Sequence, residues 1–133
     1  MLRTLTARHD RFLLNAPFRI ARGVRMEADV VTVTIRQGDH VGRGEGVPIT
    51  RYNETIESSL AAIAEVAPLI EAGCTRAELA AAMPANAART AVDNALWDLE
   101  ARLAGTTVAA LAGVAEPGPV PTAITISIDT PEG

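Results

Sequence analysis

The chain has 133 residues, the size of one ordinary domain and enough to bury a core, and its 48% apolar content excludes disorder as the default state. With 12 basic against 16 acidic side chains it has no cationic surplus for gripping phosphate backbones, so nucleic acid is not an expected partner. No run approaches the roughly 18 apolar residues of a membrane span, the charged N-terminus does not read as a signal peptide, and the one cysteine, Cys74, has no intrachain partner, so no membrane role and a reducing cytoplasm are expected.

Leu2 to Leu14 mixes apolar and charged residues and reads as an edge-type strand, with Asn15, Ala16 and Pro17 breaking it. The next segment, PFRIARGVRMEA, is read as a loop between two strands and carries Arg19, Arg22 and Arg25 around Gly23. A guanidinium is planar, always charged and matched to a carboxylate through two parallel N–H bonds, so spaced arginines suit an acidic ligand. On spacing alone, three solvated surface arginines are the better explanation of the segment.

From Asp29 to Arg36 the sequence DVVTVTIR puts Val31, Val33 and Ile35 on one face and Thr32 and Thr34 on the other, the period of a half-buried strand. Gln37, Gly38 and Asp39 supply turn chemistry, and VGRGEG follows as the partner strand of a hairpin. Gly42, Gly44 and Gly46 fall on one face of that partner, where missing side chains admit a helix or another backbone at close range. Glu45, between two of them, reads as a half-buried carboxylate that pairs with an arginine or orients a loop. Pro48 to Thr55, PITRYNET, is a second loop where strand gives way to helix. Its Arg51 and Tyr52 are candidates to close over a ligand, set against the plainer reading of a turn with Asn53 or Thr55 as helix cap.

The period then changes from two to about 3.6. Ile56, Leu60, Ile63, Ala67 and Ile70 form one apolar stripe, ended by Gly73. Thr75 with Glu78 three residues on predicts a capping box and a short second helix, stopped by Pro84. A third helix is expected from about Asn86 to Leu103, with Val92, Leu96, Leu99 and Leu103 as its stripe, Trp97 beside it and Gly105 past its end. Asp93, Asp98 and Glu100 on this helix lack the spacing of a metal cage; Asp98 and Arg102 make an ordinary (i, i+4) pair. His9 and His40 sit among charged neighbours and read as surface residues.

AEPGPVP, residues 115–121, has linker composition. In TAITISID, Ile124, Ile126 and Ile128 alternate with small or polar Ala123, Thr125 and Ser127, as in the first strand of a β/α-barrel. Thr130, Pro131 and Glu132 then read as a helix N-cap, first position and first-turn acid. The expected organisation is a capping domain over 1–114, a linker over 115–121, and over 122–133 the start of a barrel cut just after its first strand. No Walker loop, zinc-ligand cluster, HExxH or nucleophile elbow is present.

The segments PFRIARGVRMEADVVTVTI, GRGEGVPITRYNET, AARTAVDNALWDLEARLAG and TAITISID, in that order, resemble the muconate-lactonizing branch of the enolase superfamily, and most closely its L-Ala-D/L-Glu dipeptide epimerases. The third segment, with its A-x-x-A-x-D-x-A-x-W-D-L-x-A-R pattern, marks the superfamily's N-terminal capping domain; the IARG-x-R and P-x-x-RY-x-E-T segments point more narrowly to dipeptide epimerases. The resemblance implies an α+β fold, a three-stranded antiparallel sheet followed by a helical bundle, serving as a lid over a barrel.

It also implies that the loops at 22–27 and 48–52 close over the barrel mouth, that Arg25 pairs with a substrate carboxylate, and that Thr125 lines the site, with Arg22, Arg51 and Tyr52 as further substrate contacts. In such enzymes one lysine removes the proton α to a carboxylate, Mg²⁺ stabilises the enolate, and a second lysine returns a proton to the other face. This chain contains no lysine and no acidic triad, so on its own it is expected to be inactive. The partners so implied are a dipeptide such as L-Ala-L-Glu and the chain's own barrel, with homo-oligomer formation left open. Lids of an o-succinylbenzoate synthase or a muconate cycloisomerase, and a free-standing module holding an acidic ligand on its arginines, are the competing readings.

Overall fold

The computed structural model describes residues 2–130, so the helix start expected at Pro131 and Glu132 lies outside the described residues. Three antiparallel strands form one sheet in the order β1 (Arg3–Ile20), β2 (Gly23–Gln37) and β3 (His40–Gly46). A 3-10 turn (Thr50–Tyr52) leads into α1 (Ile56–Glu71), α2 (Arg76–Ala82), α3 (Ala87–Leu103) and a short α4 (Val108–Leu111). The helices cover one face of the sheet, α3 along β3 and α1 over β1, as expected of the α+β reading.

The core forms where that face meets the helices. Val31, Val33 and Ile35 are fully buried against Ile63, Ile70, Leu79, Val92, Leu96 and Leu99. Thr32 and Thr34 lie on the opposite face, as the alternation predicts. Between β3 and α3 there is no side-chain layer. A Cβ on Gly42, Gly44 or Gly46 would overlap the carbonyl oxygen of Ala95, Ala91 or Ala87 respectively. The glycine face of the strand and the alanine face of the helix are thus two halves of one backbone-to-backbone contact.

The helix ends follow the capping chemistry in the sequence. The Thr55 hydroxyl accepts from Ser58 N at 3.0 Å while Ser58 Oγ accepts from Thr55 N, a reciprocal box that resolves the cap of α1 in favour of Thr55 over Asn53. Thr75 and Glu78 close the predicted box on α2. Asn86 caps α3, and Asp98 both pairs with Arg102 at 2.9 Å and accepts from the Arg43 backbone of β3.

Several expectations change. Asn15 to Pro17 do not end β1; the strand runs on to Ile20, and the disturbance appears as a register shift between Leu13 and Phe18. A bulge absorbs the proline on an edge strand, where no ladder bond is lost to it. The arginine segment is therefore the tip of the β1–β2 hairpin and not an open loop: Phe18 pairs with Arg25, Arg19 with Val24 and Ile20 with Gly23, around a turn at Ala21 and Arg22. Glu45 is exposed and forms no ion pair among the described residues, because its neighbours Gly44 and Gly46 take the helix side of the strand. Leu103 is exposed at the end of α3, beyond the reach of the sheet. On α1 the buried line is Ser59, Ile63, Val66 and Ile70, with Ile56 and Leu60 only partly covered. The segment TAITISID forms no strand: a barrel strand needs neighbours on both sides to complete its ladder, and among the described residues its backbone bonds to the sheet only once, from Ile128 N to the Arg19 carbonyl.

Candidate functional site

The β1–β2 hairpin projects past the helices, and its tip faces the turn that follows β3. Ile20, Arg22, Gly23, Val24 and Arg25 from the hairpin and Ile49, Thr50, Arg51 and Tyr52 from the turn line an open cleft of about 490 Å³. Four of the five residues singled out in the sequence, Arg22, Arg25, Arg51 and Tyr52, thus meet in one place. Thr125 does not line this cleft; it is exposed in the extended C-terminal segment. Among the described residues, Arg22, Arg25 and Arg51 take part in no ion pair. Three unneutralised guanidiniums around one cleft create a field that favours an anion.

The turn is built by its own backbone and by one side chain. Tyr52 N and Glu54 N both donate to the Ile49 carbonyl, and Asn53 adopts a left-handed conformation (φ 59°) that turns the chain toward α1. Glu54 then anchors the turn: one carboxylate oxygen accepts from Ile49 N at 3.2 Å and the other from Ala87 N at 3.3 Å. Ala87 N is one of the unpaired donors at the start of α3, where the helix dipole favours a carboxylate. Glu54 was not singled out from the sequence, although it is the acid of the P-x-x-RY-x-E-T segment.

The hairpin tip has a different anchor. Arg19 N donates to Ser127 Oγ at 2.7 Å, and Ile128 N donates to the Arg19 carbonyl at 2.8 Å. The C-terminal segment is therefore fastened to the hairpin just beyond the register shift in β1.

Arg25 also borders a second cleft, of about 450 Å³, on the helix side of the sheet. Here the apolar face of β1 and β2 gives way to charge: His9 Nε2 lies 2.6 Å and Arg11 Nε 2.9 Å from Asp29 Oδ1, and Arg11 also reaches Glu27. The Arg11 bond, and after it the His9 bond, hold the Asp29 carboxyl below its ordinary range, and Asp29 in turn raises Arg11. His9 is thus exposed as expected but engaged. On the other face Asp10 is held low by the Thr32 hydroxyl and then by Arg8.

Residues 2–113 match the model of the mandelate racemase / muconate lactonizing enzyme N-terminal domain. The chain belongs to that family. Among curated relatives, the L-Ala-D/L-Glu epimerase of Escherichia coli is 44% identical over 98% of this chain and 41% of its own length. Among solved structures, an enolase family member from Agrobacterium tumefaciens with homology to dipeptide epimerases, holding sodium and L-Ala-L-Glu with an ordered loop, superposes with a TM-score of 0.92 at 47% identity, over 98% of this chain and 40% of that one. The dipeptide epimerase of Methylococcus capsulatus, in complex with Mg and L-Arg-D-Lys, gives 0.78 at 32% identity over 99% and 40%. This member of the family therefore spans about a third to two fifths of the length of the relatives it matches, and the stretch it shares with them is the capping fold.

The described residues of this family member do not fit a magnesium site. Among the described residues no three His, Cys, Asp or Glu side chains gather in a way that holds a metal ion, and the chain has no lysine to act as base. What it offers is a cationic, partly apolar rim. No helix among the described residues is long and apolar enough to cross a membrane.

Proposed function

We propose that this chain is the substrate-covering lid of a dipeptide epimerase acting on an acidic dipeptide such as L-Ala-L-Glu, completed by a barrel that brings the catalytic lysines and the Mg²⁺ site. The carrying observation is the cleft in which Arg22, Arg25, Arg51 and Tyr52 converge, with none of the three arginines in an ion pair among the described residues. A guanidinium bonded to a carboxylate in a site closed from water contributes about 1.5–3 kcal/mol, enough to select an acidic side chain over a neutral one by about tenfold or more. Arg25 makes that contact in this reading. Arg22 and Arg51 add to the field, and Tyr52 supplies an apolar wall with a hydroxyl. These residues hold and orient the dipeptide and exclude water; they move no proton.

The boundaries that go with this reading are a lid over 1–114, a linker over 115–121 and the opening of the barrel over 122–133, where Thr125 joins the site. Its support is the exposure of Ile124 and Ile126, 90% and 88%, in a segment too apolar to be left in water beside Val120 and Ile128. The barrel is the lid's partner and the cytoplasm its compartment; whether the assembled protein is a homo-oligomer is read from its mass in solution.

The test is α-proton exchange in deuterated buffer with a panel of dipeptides, for the barrel-completed protein and for the 133-residue chain. Exchange of L-Ala-L-Glu by the former alone is the expected result. Exchange by the chain alone, or preference for a cycloisomerase or synthase substrate, overturns the reading. Tight, saturable binding of an acidic ligand by the isolated chain favours a free-standing module instead.

A further inference from the structure

The hairpin tip that carries Arg22 and Arg25 is weakly held by its own sheet. The β1–β2 ladder runs in register from Arg3 to Leu13, shifts, and resumes for only three pairs at Phe18, Arg19 and Ile20. β3 ends opposite Val31, so it gives the tip no support. Three terminal pairs beyond a bulge give the tip few ladder bonds of its own.

Arg19 lies in the middle of those three pairs, and both of its backbone polar groups are taken by one short stretch of the C-terminal segment. Its N–H donates to Ser127 Oγ at 2.7 Å, and its carbonyl accepts from Ile128 N at 2.8 Å. The same hydroxyl lies 3.3 Å from the Pro17 carbonyl and 3.4 Å from the Arg19 carbonyl, so its one proton is held where the irregular stretch gives way to the tip.

We propose that Ser127 is a positioning residue: its hydroxyl latches the arginine hairpin to the segment bearing Thr125 and so fixes where Arg25 meets the substrate. An alanine at 127 leaves Arg19 N without its acceptor and removes the hydroxyl's bond to the Pro17 or Arg19 carbonyl. A threonine keeps the oxygen. The consequence for the enzyme rests on the proposed carboxylate contact of Arg25; the latch itself does not.

Amide hydrogen exchange tests the latch in the 133-residue chain. In Ser127→Ala the Arg19 amide is expected to lose roughly three- to tenfold of its protection, the worth of one net hydrogen bond, while Leu96 in α3 keeps its own; Ser127→Thr restores Arg19. Unchanged Arg19 protection in Ser127→Ala overturns the latch. If Leu96 falls in step with Arg19, the residue is a general structural prop and the proposal also fails. In the barrel-completed protein, Ser127→Ala is then expected to raise KM for L-Ala-L-Glu roughly three- to tenfold with kcat nearly unchanged, and Ser127→Thr to reverse it. An Arg25→Met variant measured beside it separates the two ideas. A raised KM in Arg25→Met but not in Ser127→Ala refutes the positioning role of Ser127 and leaves the Arg25 contact standing. No change in either refutes the Arg25 contact, and with it the latch's role in placing that residue.

Discussion

Gly44 and Ala91 meet backbone to backbone: a Cβ on Gly44 would overlap the Ala91 carbonyl oxygen and stand 2.6 Å from Ala95 N. The same relationship repeats one step along at Gly42, whose Cβ would stand 2.6 Å from Leu99 N. Because β3 leads directly into the turn that carries Arg51 and Tyr52, and α3 starts where Glu54 anchors that turn, the seating of α3 on β3 also sets the height of one wall of the cleft.

Gly44→Ala is accordingly expected to destabilise the fold by about 1–3 kcal/mol or more, since the obstructing atoms are backbone and cannot rotate away. Gly118→Ala, which meets nothing within 4 Å, is the control and is expected to stay within about 0.5 kcal/mol of the parent. Urea titration of both variants reads the difference; equal midpoints contradict the close contact.

Glu54→Ala removes both acceptors that tie the turn to α3. Faster amide exchange is expected at Ile49 and Ala87, with the middle of α3 unaffected. Glu54→Gln is expected to recover only part of the protection, because an amide offers one acceptor oxygen where the carboxylate offers two. Full protection in Glu54→Ala contradicts the anchoring role.

The chain is expected to lose stability in acid. Asp10, Asp29 and Glu78 are each held below their ordinary range, by Thr32, Arg11 and Thr75 respectively as the leading partners. Between folded and unfolded values the unfolded chain binds more protons, so stability falls as pH falls. The contribution is complete above the ordinary carboxylate range, near pH 4, and is lost as pH passes down through the folded values. Urea midpoints between about pH 6 and pH 2 should fall more steeply for the parent than for Asp29→Asn. Parallel curves contradict the pairing of Asp29 with Arg11 and His9.

Much of this fold was legible because its signals are local. The alternation of Val31, Val33 and Ile35, the Thr75–Glu78 box and the three glycines at spacing two each name a conformation or a contact within a few residues. The glycines foretold a close approach, and the alanines of α3 are what approaches. What the sequence hid depends on distant partners. Pro17 looks like a strand break, but an edge strand with a free side takes it as a bulge. Leu103 continues the stripe of α3, but the sheet ends before it. TAITISID has the alternation of a strand but only one backbone bond to the sheet among the described residues. At the site, residue types made Arg22, Arg25, Arg51 and Tyr52 candidates, and only the family resemblance turned them into expected substrate contacts. Their convergence depends on the length of the β1–β2 hairpin, and their anchors, Glu54 and Ser127, act through the backbones of Ile49, Ala87 and Arg19, which no side-chain pattern announces.

In the proposed lid Arg25 meets the side-chain carboxylate of an acidic dipeptide, and the most direct measurement of that contact is the steady-state kinetics of Arg25→Met in the barrel-completed protein on L-Ala-L-Glu and on a neutral dipeptide such as L-Ala-L-Leu. The expected result is a KM for L-Ala-L-Glu raised about ten- to hundredfold, the worth of a charged hydrogen bond, with the neutral dipeptide nearly unaffected. Equal losses on both substrates, or none on either, would contradict it.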